Sequence, residues 1–428
     1  MHFGIISPPV SGHLHPLGAL GRELIARGHR VTLVHMADLA SRAEAEGLEF
    51  APVGGTSHPL GTLPKSLARL GQLDGLAALR FTIGEVRGTT EMMLRDGYDA
   101  LRAVGADALL VDQTEPAGGT LAERLGIPFV TVCNALALNR EDDVPPPFTD
   151  WSFKSSTVAR LRNRFGYRLS DWILRRVRAV VAGYRKQWRL SPHLSTEDSF
   201  SKLAQLCQQP RAFDFPRHCL PNTFHYVGPL RGPGLRPVPF PWDKLDGRPL
   251  VYASLGTLQN GKERIFRAFA EACQPLPCQL VITHGGGLDP QSVASLPGNP
   301  LVVNYAPQLE VLARASLTLT HAGLNTVLDS LTHGVPLVAV PITYEQPAIA
   351  KRISWTGAGR IVPFRGLNVP ALSRAITDVL RDACYAAKAQ AVARSIQDSG
   401  GVKRAADVIE SVLNCGSGTC SIRPSSST

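Results

Sequence analysis

The sequence predicts an α/β protein made of two doubly wound domains that face a central cleft. Short apolar runs alternate with stretches of helical spacing over the first 135 residues, and the alternation returns from residue 250 onward. A segment rich in proline and glycine separates the two series. Such alternation indicates parallel sheets covered on both faces by helices. Two sheets of this kind place a ligand cleft between the carboxyl ends of their strands.

Length and composition agree with two folded domains. The chain has 428 residues, of which 44% are hydrophobic and 19% charged, and this composition excludes a disordered chain. No period of about 20–50 residues occurs, which excludes a solenoid. The eight cysteines contain no Cys-x-x-Cys pair, so neither a zinc or redox motif nor a disulfide framework is expected.

The first series of elements belongs to an N-terminal domain over residues 1–228. Its predicted elements are strand 2–7, helix 17–26, strand 31–35, strand 108–111, helix 117–125 and strand 129–132. Pro8-Pro9 ends the first strand, and Gly28 and Gly126 end the two helices. The rhythm breaks after Asp142, where three prolines precede a basic segment.

A stiff linker and a second series follow. Five prolines and three glycines among residues 228–241 indicate an extended connection, and the linker is assigned to residues 229–247. A C-terminal domain is assigned to 248–385, a helical segment expected to pack back on the N-terminal domain to 386–413, and a flexible tail to 414–428. The predicted elements are strands 250–253, 279–283, 301–303, 317–320 and 336–340, helices 262–273 and 371–379, and helices starting at residues 324 and 346.

The net charge is concentrated in one segment. The chain has 45 Lys and Arg against 35 Asp and Glu, and the resulting charge of +10 could suggest a nucleic-acid partner. Residues 154–189 contain eleven basic side chains and one acidic side chain, Asp171, so the segment carries the whole excess and the remainder balances at 34 against 34. No recognisable nucleic-acid-binding module accompanies it, and nucleic-acid binding is not expected.

Nothing in the sequence predicts a secretory signal or a membrane-spanning helix. The first seven residues carry no Lys or Arg and run into Pro8-Pro9. No stretch of about 18 uncharged apolar residues occurs. The expected location is therefore the cytoplasm.

The most informative motif follows the predicted strand 317–320. It reads Thr320-His321-Ala322-Gly323-Leu324-Asn325-Thr326-Val327-Leu328-Asp329. A helix that begins just after a strand tip aims free N–H groups and its positive dipole end at a ligand above the strand. His321, Asn325 and Thr326 could then donate to a pyrophosphate, and Asp329 could accept from ribose hydroxyls. Taken alone, the motif also fits an ordinary strand–turn–helix with a solvated histidine.

The flanks of this motif extend it into a longer pattern. Upstream lies Asn304-Tyr305-Ala306-Pro307-Gln308, and downstream lie Gly334-Val335-Pro336, Pro341 and Tyr344-Glu345-Gln346-Pro347. The pattern resembles the donor-binding signature of nucleotide-sugar glycosyltransferases of the UDP-glycosyltransferase type, which include plant, macrolide and carotenoid enzymes. The resemblance covers nearly the whole chain, more weakly in the middle. It implies the GT-B fold, in which two Rossmann-like domains face a cleft.

The resemblance also implies donor-site roles. His321 and Asn325 would contact the diphosphate, with Gly323 at the turn and Thr326 beside them. Asp329 would hold the ribose, although many relatives have Glu there. Glu345 and Gln346 would hydrogen-bond sugar hydroxyls.

Two further parts of the donor site follow from the same resemblance. Tyr305 and Gln308 belong to the same signature. Tyr305 lies at the position where plant members of the family stack uracil on a Trp, so the replacement of Trp by Tyr leaves the base specificity open. The loop containing Ser254, Gly256 and Thr257 resembles the family's loop under the phosphates, where glycine permits close approach of the backbone. By themselves, these loop residues are also compatible with a plain turn.

A candidate base lies in the loop after the first strand, Pro8-Pro9-Val10-Ser11-Gly12-His13-Leu14-His15-Pro16. Histidine can act as a general base because its unperturbed pKa lies near working pH. The resemblance points to His13, since the Gly-His of this loop carries the base in the family; His15 is the alternative, and both could instead cap the helix. Asp112, after strand 108–111, resembles the Asp that orients this base. Glu115 is the nearby alternative, and a strand-end acid is also a common helix cap.

The predicted function is inverting transfer of a hexose, with glucose favoured, from a UDP-sugar to a hydroxyl of a lipophilic small molecule such as a carotenoid, macrolide or polyphenol. No Asp-x-Asp triplet is present, whereas glycosyltransferases that use a metal typically have one. The helix N-terminus and His321 would stabilise the leaving diphosphate instead, so neither metal nor cofactor is expected. A UDP-sugar epimerase and a non-catalytic UDP-sugar-binding protein are the alternatives. The presence of both His13 and Asp112 argues against the second.

The acceptor prediction depends on the basic segment. Aromatic and aliphatic side chains, among them Phe165 and Trp172, interleave with its arginines, a pattern that suits a helix lying on an anionic membrane surface. The start of the chain also resembles bacterial carotenoid glucosyltransferases, whose acceptors dissolve in membranes. The hypothesis is a lipophilic acceptor delivered from the bilayer to a protein peripheral at the inner membrane face. The other interpretation of residues 154–189 is a helical cover of the domain with solvated arginines.

Overall fold

Two parallel β-sheets with flanking helices organise the chain. The computed structural model describes residues 1–73, 75–232, 237–257 and 260–414. The predicted α/β fold class with two Rossmann-like sheets is confirmed. Residues 233–236 of the expected linker and 415–428 of the expected tail lie outside the described residues.

The first sheet contains seven strands. They are β1 (His2–Ile6), β2 (Arg30–Met36), β3 (Glu49–Val53), β4 (Ala108–Asp112), β5 (Phe129–Cys133), β6 (Gln205–Cys207) and β7 (Phe224–Tyr226). All pairs are parallel, in the order β3-β2-β1-β4-β5-β6-β7. Because the direction of winding reverses between β1 and β4, the carboxyl ends of these two strands flank the crevice where α/β sheets bind ligands.

The second sheet contains six strands. They are β8 (Leu250–Ser254), β9 (Gln279–Thr283), β10 (Leu301–Val303), β11 (Ala315–Thr320), β12 (Leu337–Ala339) and β13 (Gly359–Ile361). All pairs are again parallel, in the order β10-β9-β8-β11-β12-β13. The winding reverses between β8 and β11, so this sheet has its own crevice beside the loops that follow these strands.

Helices connect the strands and cover the sheets. In chain order they are α1 (Ser11–Ala26), α2 (Ala40–Ala45), α3 (Thr62–Gly71), α4 (Gly75–Val104), α5 (Gly118–Leu125), α6 (Thr157–Gln187), α7 (Glu263–Cys273), α8 (Pro290–Ala294), α9 (Gln308–Leu312), α10 (Leu324–Thr332), α11 (Gln346–Thr356), α12 (Val369–Arg381), α13 (Ala383–Ser399) and α14 (Gly401–Asn414). Among these, none is long and apolar enough to cross a membrane, a finding restricted to the described part of the chain.

Helix α14 packs against the half of the molecule that contains the first sheet. Ala405 and Ile409 of α14 are buried in one apolar cluster with Leu17 of α1. Arg27, which follows α1, donates from Nη1 to Asp407 Oδ1 of α14 at 2.7 Å. α13 instead contributes to a cluster on the second sheet. Helices α13 and α14 therefore pack on different halves of the molecule.

The structure extends the predicted elements and adds others. α1 begins at Ser11 rather than at residue 17, although Pro16 lies inside it. α3 and α4 were not predicted; α3 buries none of its residues, and four glycines lower the helical propensity of α4. The strands β6, β7 and β13 have three residues each, too few to show an alternating pattern.

Candidate active site

A histidine and a carboxylate meet at the crevice of the first sheet. His13 lies in the first turn of α1, just past the end of β1, and Asp112 ends the neighbouring strand β4. His13 Nδ1 is 2.8 Å from Asp112 Oδ2. The Asp112 side chain is completely buried, whereas that of His13 remains 19% exposed. This geometry leaves Nε2 as the nitrogen that can exchange a proton with a bound molecule.

Asp112 is held by several donors besides His13. Its Oδ1 accepts from the backbone N–H of Thr114 at 2.9 Å and from the Thr114 hydroxyl at 2.6 Å. Its Oδ2 also accepts from Asn134 Nδ2 at 2.7 Å. Burial alone would raise the pKa of Asp112, but the charge of His13 and these hydrogen bonds outweigh it and hold the pKa below its ordinary value. The carboxylate is therefore ionised near neutral pH.

The contact with Asp112 raises the pKa of His13. Burial lowers the pKa of His13, but the charge of Asp112 and its hydrogen bond outweigh that effect, so the pKa lies above its ordinary value of 6.5. Imidazole paired in this way has a fixed orientation and a stabilised protonated form. The pair can accept a proton from a hydroxyl and hold it.

His15, the alternative base, and Glu115, the alternative carboxylate, have other hydrogen-bond partners. His15 Nδ1 is 2.7 Å from Glu46 Oε1, and its side chain is 56% exposed. Glu115 Oε1 accepts from the backbone N–H of Ala117 at 3.3 Å. Burial raises the pKa of Glu115 to about 7. Neither residue takes part in the His13–Asp112 hydrogen bond.

His321 lies at the crevice of the second sheet, directly after β11. It is buried, and its Nδ1 has no hydrogen-bond partner among the described residues. Burial lowers the pKa of His321 to about 4, so the imidazole is neutral. A Cβ on Gly323 would lie 2.7 Å from the imidazole Cε1, and one on Gly256 would lie 3.0 Å from it. Glycine at these two positions is what allows the ring to fit.

The backbone next to His321 is strained. Ala322 has a φ of +66°, which L-residues other than Asn and Asp rarely adopt. Such conformations are concentrated at ligand-binding turns. The turn directs the start of α10 at the space above β8 and β11, where an anion would meet free N–H groups.

Asn325, in the first turn of α10, bridges the two sheets. Its Nδ2 donates to the carbonyl oxygen of Gly12 at 2.8 Å. In α1 that carbonyl lies four residues before Pro16, whose ring nitrogen has no hydrogen to donate to it. The proline thus leaves the Gly12 carbonyl oxygen, one residue before His13, without its helical donor. Asn325, from the other half of the molecule, donates to it instead.

Asp329 has partners that sequence reasoning missed. Its Oδ1 accepts from Arg231 Nε at 2.6 Å, and its Oδ2 accepts from Gln308 Nε2 at 2.7 Å. Arg231, which falls within the expected linker, also donates from Nη2 to Asn325 Oδ1 at 3.2 Å. No local pattern marks Arg231 in the sequence, because its role depends on contacts 94 and 98 residues away.

Glu345 and Gln346 lie at the start of α11. The backbone N–H of Leu136, which follows β5 in the first sheet, donates to Glu345 Oε2 at 3.2 Å. Burial raises the pKa of Glu345, and its charge also acts on His13. Gln346 Oε1 instead accepts from the backbone N–H groups of Ile342 and Thr343 at 2.9 and 3.0 Å. These hydrogen bonds hold the loop that precedes α11.

The remaining donor-site candidates are distributed around the second crevice. Tyr305 is exposed, and its hydroxyl donates to the carbonyl oxygen of Gly285 at 3.4 Å. Ser254 Oγ accepts from the backbone N–H of Gly256 at 3.3 Å. Thr257 is exposed in the same loop, and Thr326 is buried in α10. Within the described residues, no group of three or more His, Cys, Asp or Glu is arranged to hold a metal ion.

Comparisons with known proteins identify a family and a fold. A family model described as "UDP-glucoronosyl and UDP-glucosyl transferase" matches residues 92–403. Zeaxanthin glucosyltransferase from Pantoea ananas is 35% identical over 420 residues, which cover 97% of this chain and 96% of the relative. The enzyme of the same name from Pseudescherichia vulneris is 34% identical over 414 residues, covering 96% and 98% of the two chains.

Solved structures show the same fold. The calicheamicin glycosyltransferase CalG4 superposes with a TM-score of 0.75 at 24% identity, over 97% of this chain and 99% of that one. The glycosyltransferase SsfS6 of Streptomyces sp. SF2575, solved in complex with thymidine diphosphate, superposes with a TM-score of 0.68 at 17% identity, over 96% and 99% of the chains.

Proposed function

The chain belongs to the UDP-glucoronosyl and UDP-glucosyl transferase family and is a glycosyltransferase, and we propose that it moves glucose from UDP-glucose to a hydroxyl of a lipophilic acceptor. The observation that carries the proposal is the 2.8 Å contact between His13 and Asp112 beside the Asn325–Gly12 contact. It brings a candidate base next to the candidate donor loops. The names of the two zeaxanthin glucosyltransferase relatives favour glucose and a hydroxylated carotenoid over a macrolide or polyphenol.

We propose a single displacement with inversion. His13 Nε2 takes the proton of the acceptor hydroxyl, and Asp112 stabilises the imidazolium that forms. The acceptor oxygen forms a bond to the anomeric carbon while the bond from that carbon to the phosphate oxygen breaks, and UDP leaves with the electron pair. Because attack and departure occur on opposite faces, the α-linked sugar of UDP-glucose becomes β-linked in the product.

The leaving diphosphate needs electrostatic stabilisation. The proposal assigns this to the N–H groups at the start of α10, to His321 and Asn325, with Gly323 and Thr326 beside them, because donors aimed at developing charge are most effective in a buried site. The loop of Ser254, Gly256 and Thr257 would lie under the phosphates. Transfer would then require no divalent metal.

The sugar and nucleoside would occupy the rest of the second crevice. Glu345 and Gln346 are proposed to bind sugar hydroxyls, since Glu345 lies close enough for its charge to affect His13. Asp329 is proposed to bind the ribose, with Gln308 and Arg231 orienting its carboxylate. Tyr305, exposed beside Gly285, is proposed to contact the base.

The direct test is incubation with UDP-glucose and a panel of hydroxylated carotenoids, macrolides and polyphenols, followed by mass detection of glucosides. We expect carotenoid glucosides, a β-anomeric proton by NMR, and the same rate with EDTA as without it. An α-glucoside would contradict inversion, and loss of activity in EDTA that Mg²⁺ restores would contradict metal independence. A changed sugar nucleotide without any acceptor product would indicate an epimerase instead.

The pH dependence of kcat/KM should reflect the ionisation of His13. A base works only when unprotonated, and the pKa of His13 is raised above 6.5, so activity should fall as the pH drops through this higher value. We expect the acid limb of kcat/KM to lie above pH 6.5 and to move to lower pH in Asp112→Asn, which removes the charge that raises the pKa. An acid limb below pH 6.5 that the substitution does not move would contradict the assignment.

Replacing Arg231 with methionine should weaken donor binding. The change leaves the Asp329 carboxylate without its charged partner, and losing a charged hydrogen bond of this kind typically raises KM roughly tenfold. We expect the KM for UDP-glucose to rise with little change in kcat. Arg248→Met, which removes an exposed ion pair with Asp246, is the matched control. A lower KM would mean that Arg231 competes with the ribose for Asp329.

A further inference from the structure

An apolar stripe lies exposed on the first half of α6. It consists of Val158, Leu161, Phe165, Leu169 and Trp172, each between 44% and 77% exposed. Their spacings of three and four residues place all five on one face of the helix. The buried residues of the same half, such as Ala159 and Tyr167, lie on the opposite face. Contiguous exposed apolar side chains of this size mark interaction surfaces.

Basic side chains surround the apolar stripe. Of the eleven basic residues in 154–189, four pair with carboxylates, namely Arg160, Arg164, Arg178 and Arg185, which leaves seven. Three of the seven, Arg168, Arg175 and Arg176, are exposed on α6 and form no ion pair with the residues that the structure describes. The guanidinium of Arg175 lies over the Trp172 ring, 4.2 Å from its centroid. The stripe is thus bordered by unneutralised positive charge.

The loop between β5 and α6 connects the apolar stripe to the active site. At its start, Asn134 donates to Asp112 at 2.7 Å. Further along, the carbonyl oxygen of Val144 accepts from the Tyr167 hydroxyl at 3.0 Å, on the same helical segment as the stripe. The segment over residues 134–156 therefore hydrogen-bonds the candidate catalytic carboxylate at its start and leads into the helix that carries the exposed apolar side chains.

We propose that the apolar stripe inserts into the interface of an anionic bilayer, with Arg168, Arg175 and Arg176 at the level of the lipid phosphates. The inference deepens the proposed function and rests on it for the lipophilic nature of the acceptor. A helix with an apolar face and basic flanks lies in the plane of such an interface. Contact there holds the protein at the phase in which a carotenoid dissolves.

Charge favours a bilayer over a second copy of the chain. Two copies meeting through the stripe would bring the same arginine-rich border against itself, and like charges at an interface oppose association. An anionic lipid surface neutralises that border instead.

The test is vesicle flotation of the full chain with phosphatidylcholine vesicles and with vesicles that also contain phosphatidylglycerol. We expect binding to the anionic vesicles and weak binding to the neutral ones. Tryptophan fluorescence should be quenched by brominated lipid tails, and Trp172→Phe should remove most of that quenching. Equal binding to both kinds of vesicle, or no quenching, would overturn the proposal.

A variant of the apolar stripe and a matched control make the test specific. The double variant Leu161→Ser with Phe165→Ser should weaken partitioning into anionic vesicles. We expect a loss of about tenfold or more for each side chain, because serine buries no comparable apolar surface in the bilayer. Leu194→Ser removes an equally apolar, highly exposed side chain outside α6 and should bind vesicles as the wild type does. If the double variant also bound as the wild type does, or if sedimentation showed a dimer that this variant dissociates, the proposal would be wrong.

Activity separates this inference from the proposed function. With a water-soluble polyphenol and no vesicles, the double variant should turn over as the wild type does, whereas its rate on carotenoid embedded in anionic vesicles should fall in proportion to its lost binding. Failure of the wild type with every acceptor would contradict the proposed function alone, since flotation and quenching do not depend on turnover.

Discussion

Replacing His13 with alanine is expected to lower kcat by about 10²- to 10⁴-fold, the usual contribution of a positioned general base. The side chain hydrogen-bonds Asp112 at 2.8 Å, and its raised pKa makes it able to hold the proton it accepts. UDP affinity should change little, because the donor contacts are assigned to the second crevice. Glucoside formation under saturating substrate measures kcat, and calorimetric titration with UDP measures binding.

His15→Ala is the matched control for this prediction. It removes a histidine of the same helix, α1, whose Nδ1 is engaged by Glu46 at 2.7 Å, and it should keep nearly full turnover. If His13→Ala retained turnover while His15→Ala lost it, the base assignment would be reversed. A loss of UDP affinity in His13→Ala would show that the substitution disturbs the donor loops, which touch the neighbouring Gly12.

The substitution Asp112→Asn should reduce kcat nearly as strongly, by about 10³-fold or more, as expected when the orienting carboxylate of a histidine base is neutralised. Asparagine fills the same buried space and can still accept from Thr114, so the fold should persist. Its amide can donate to His13 Nδ1, which would place the imidazole proton on Nε2, the nitrogen needed as the base. Circular dichroism, the thermal midpoint and kcat together separate a catalytic loss from unfolding.

Glu115→Gln provides the comparison for Asp112. Glu115 lies three residues further along and has a pKa raised to about 7 by burial, a property also found in catalytic carboxyls. It makes no hydrogen bond to His13 in the described structure, so we expect Glu115→Gln to keep most of the activity. Strong loss in Glu115→Gln with retention in Asp112→Asn would transfer the orienting role to Glu115.

The two halves of the site are coupled through direct contacts. Asn325 bonds the carbonyl oxygen of Gly12, and Leu136 bonds Glu345, so the loops that carry the candidate base and the candidate donor residues hold each other directly. Arg352 and Asp214 form a buried ion pair at 2.9 Å between the same halves. Substitutions in the donor loops should therefore be checked for effects on His13.

Local sequence was sufficient for the elements that are long, buried and bounded by clear stop signals. The central strands β1, β4 and β8 appear as short, mostly apolar runs, since strands buried on both faces have no polar alternation. Proline and glycine then fix where these strands and the following helices end. The strand-end loops that carry His13, Asp112 and His321 could be located for the same reason.

Tertiary structure alone decided which of these residues meet. His13 and Asp112 are 99 positions apart, and the register of β1 against β4 brings these two together rather than His15 or Glu115. The role of Pro16 in freeing the Gly12 carbonyl appears only when Asn325, 313 positions away, is brought against it.

The sequence by itself determined the α/β class, the two series of strands and the position of the basic segment. Only the fold showed that Arg231 holds Asp329, that four basic residues of 154–189 are neutralised, and that five apolar residues of α6 face outward. The physical reason is that helical and strand periodicity is encoded in neighbouring residues, whereas ion pairs and exposed faces depend on which distant segments pack against each other.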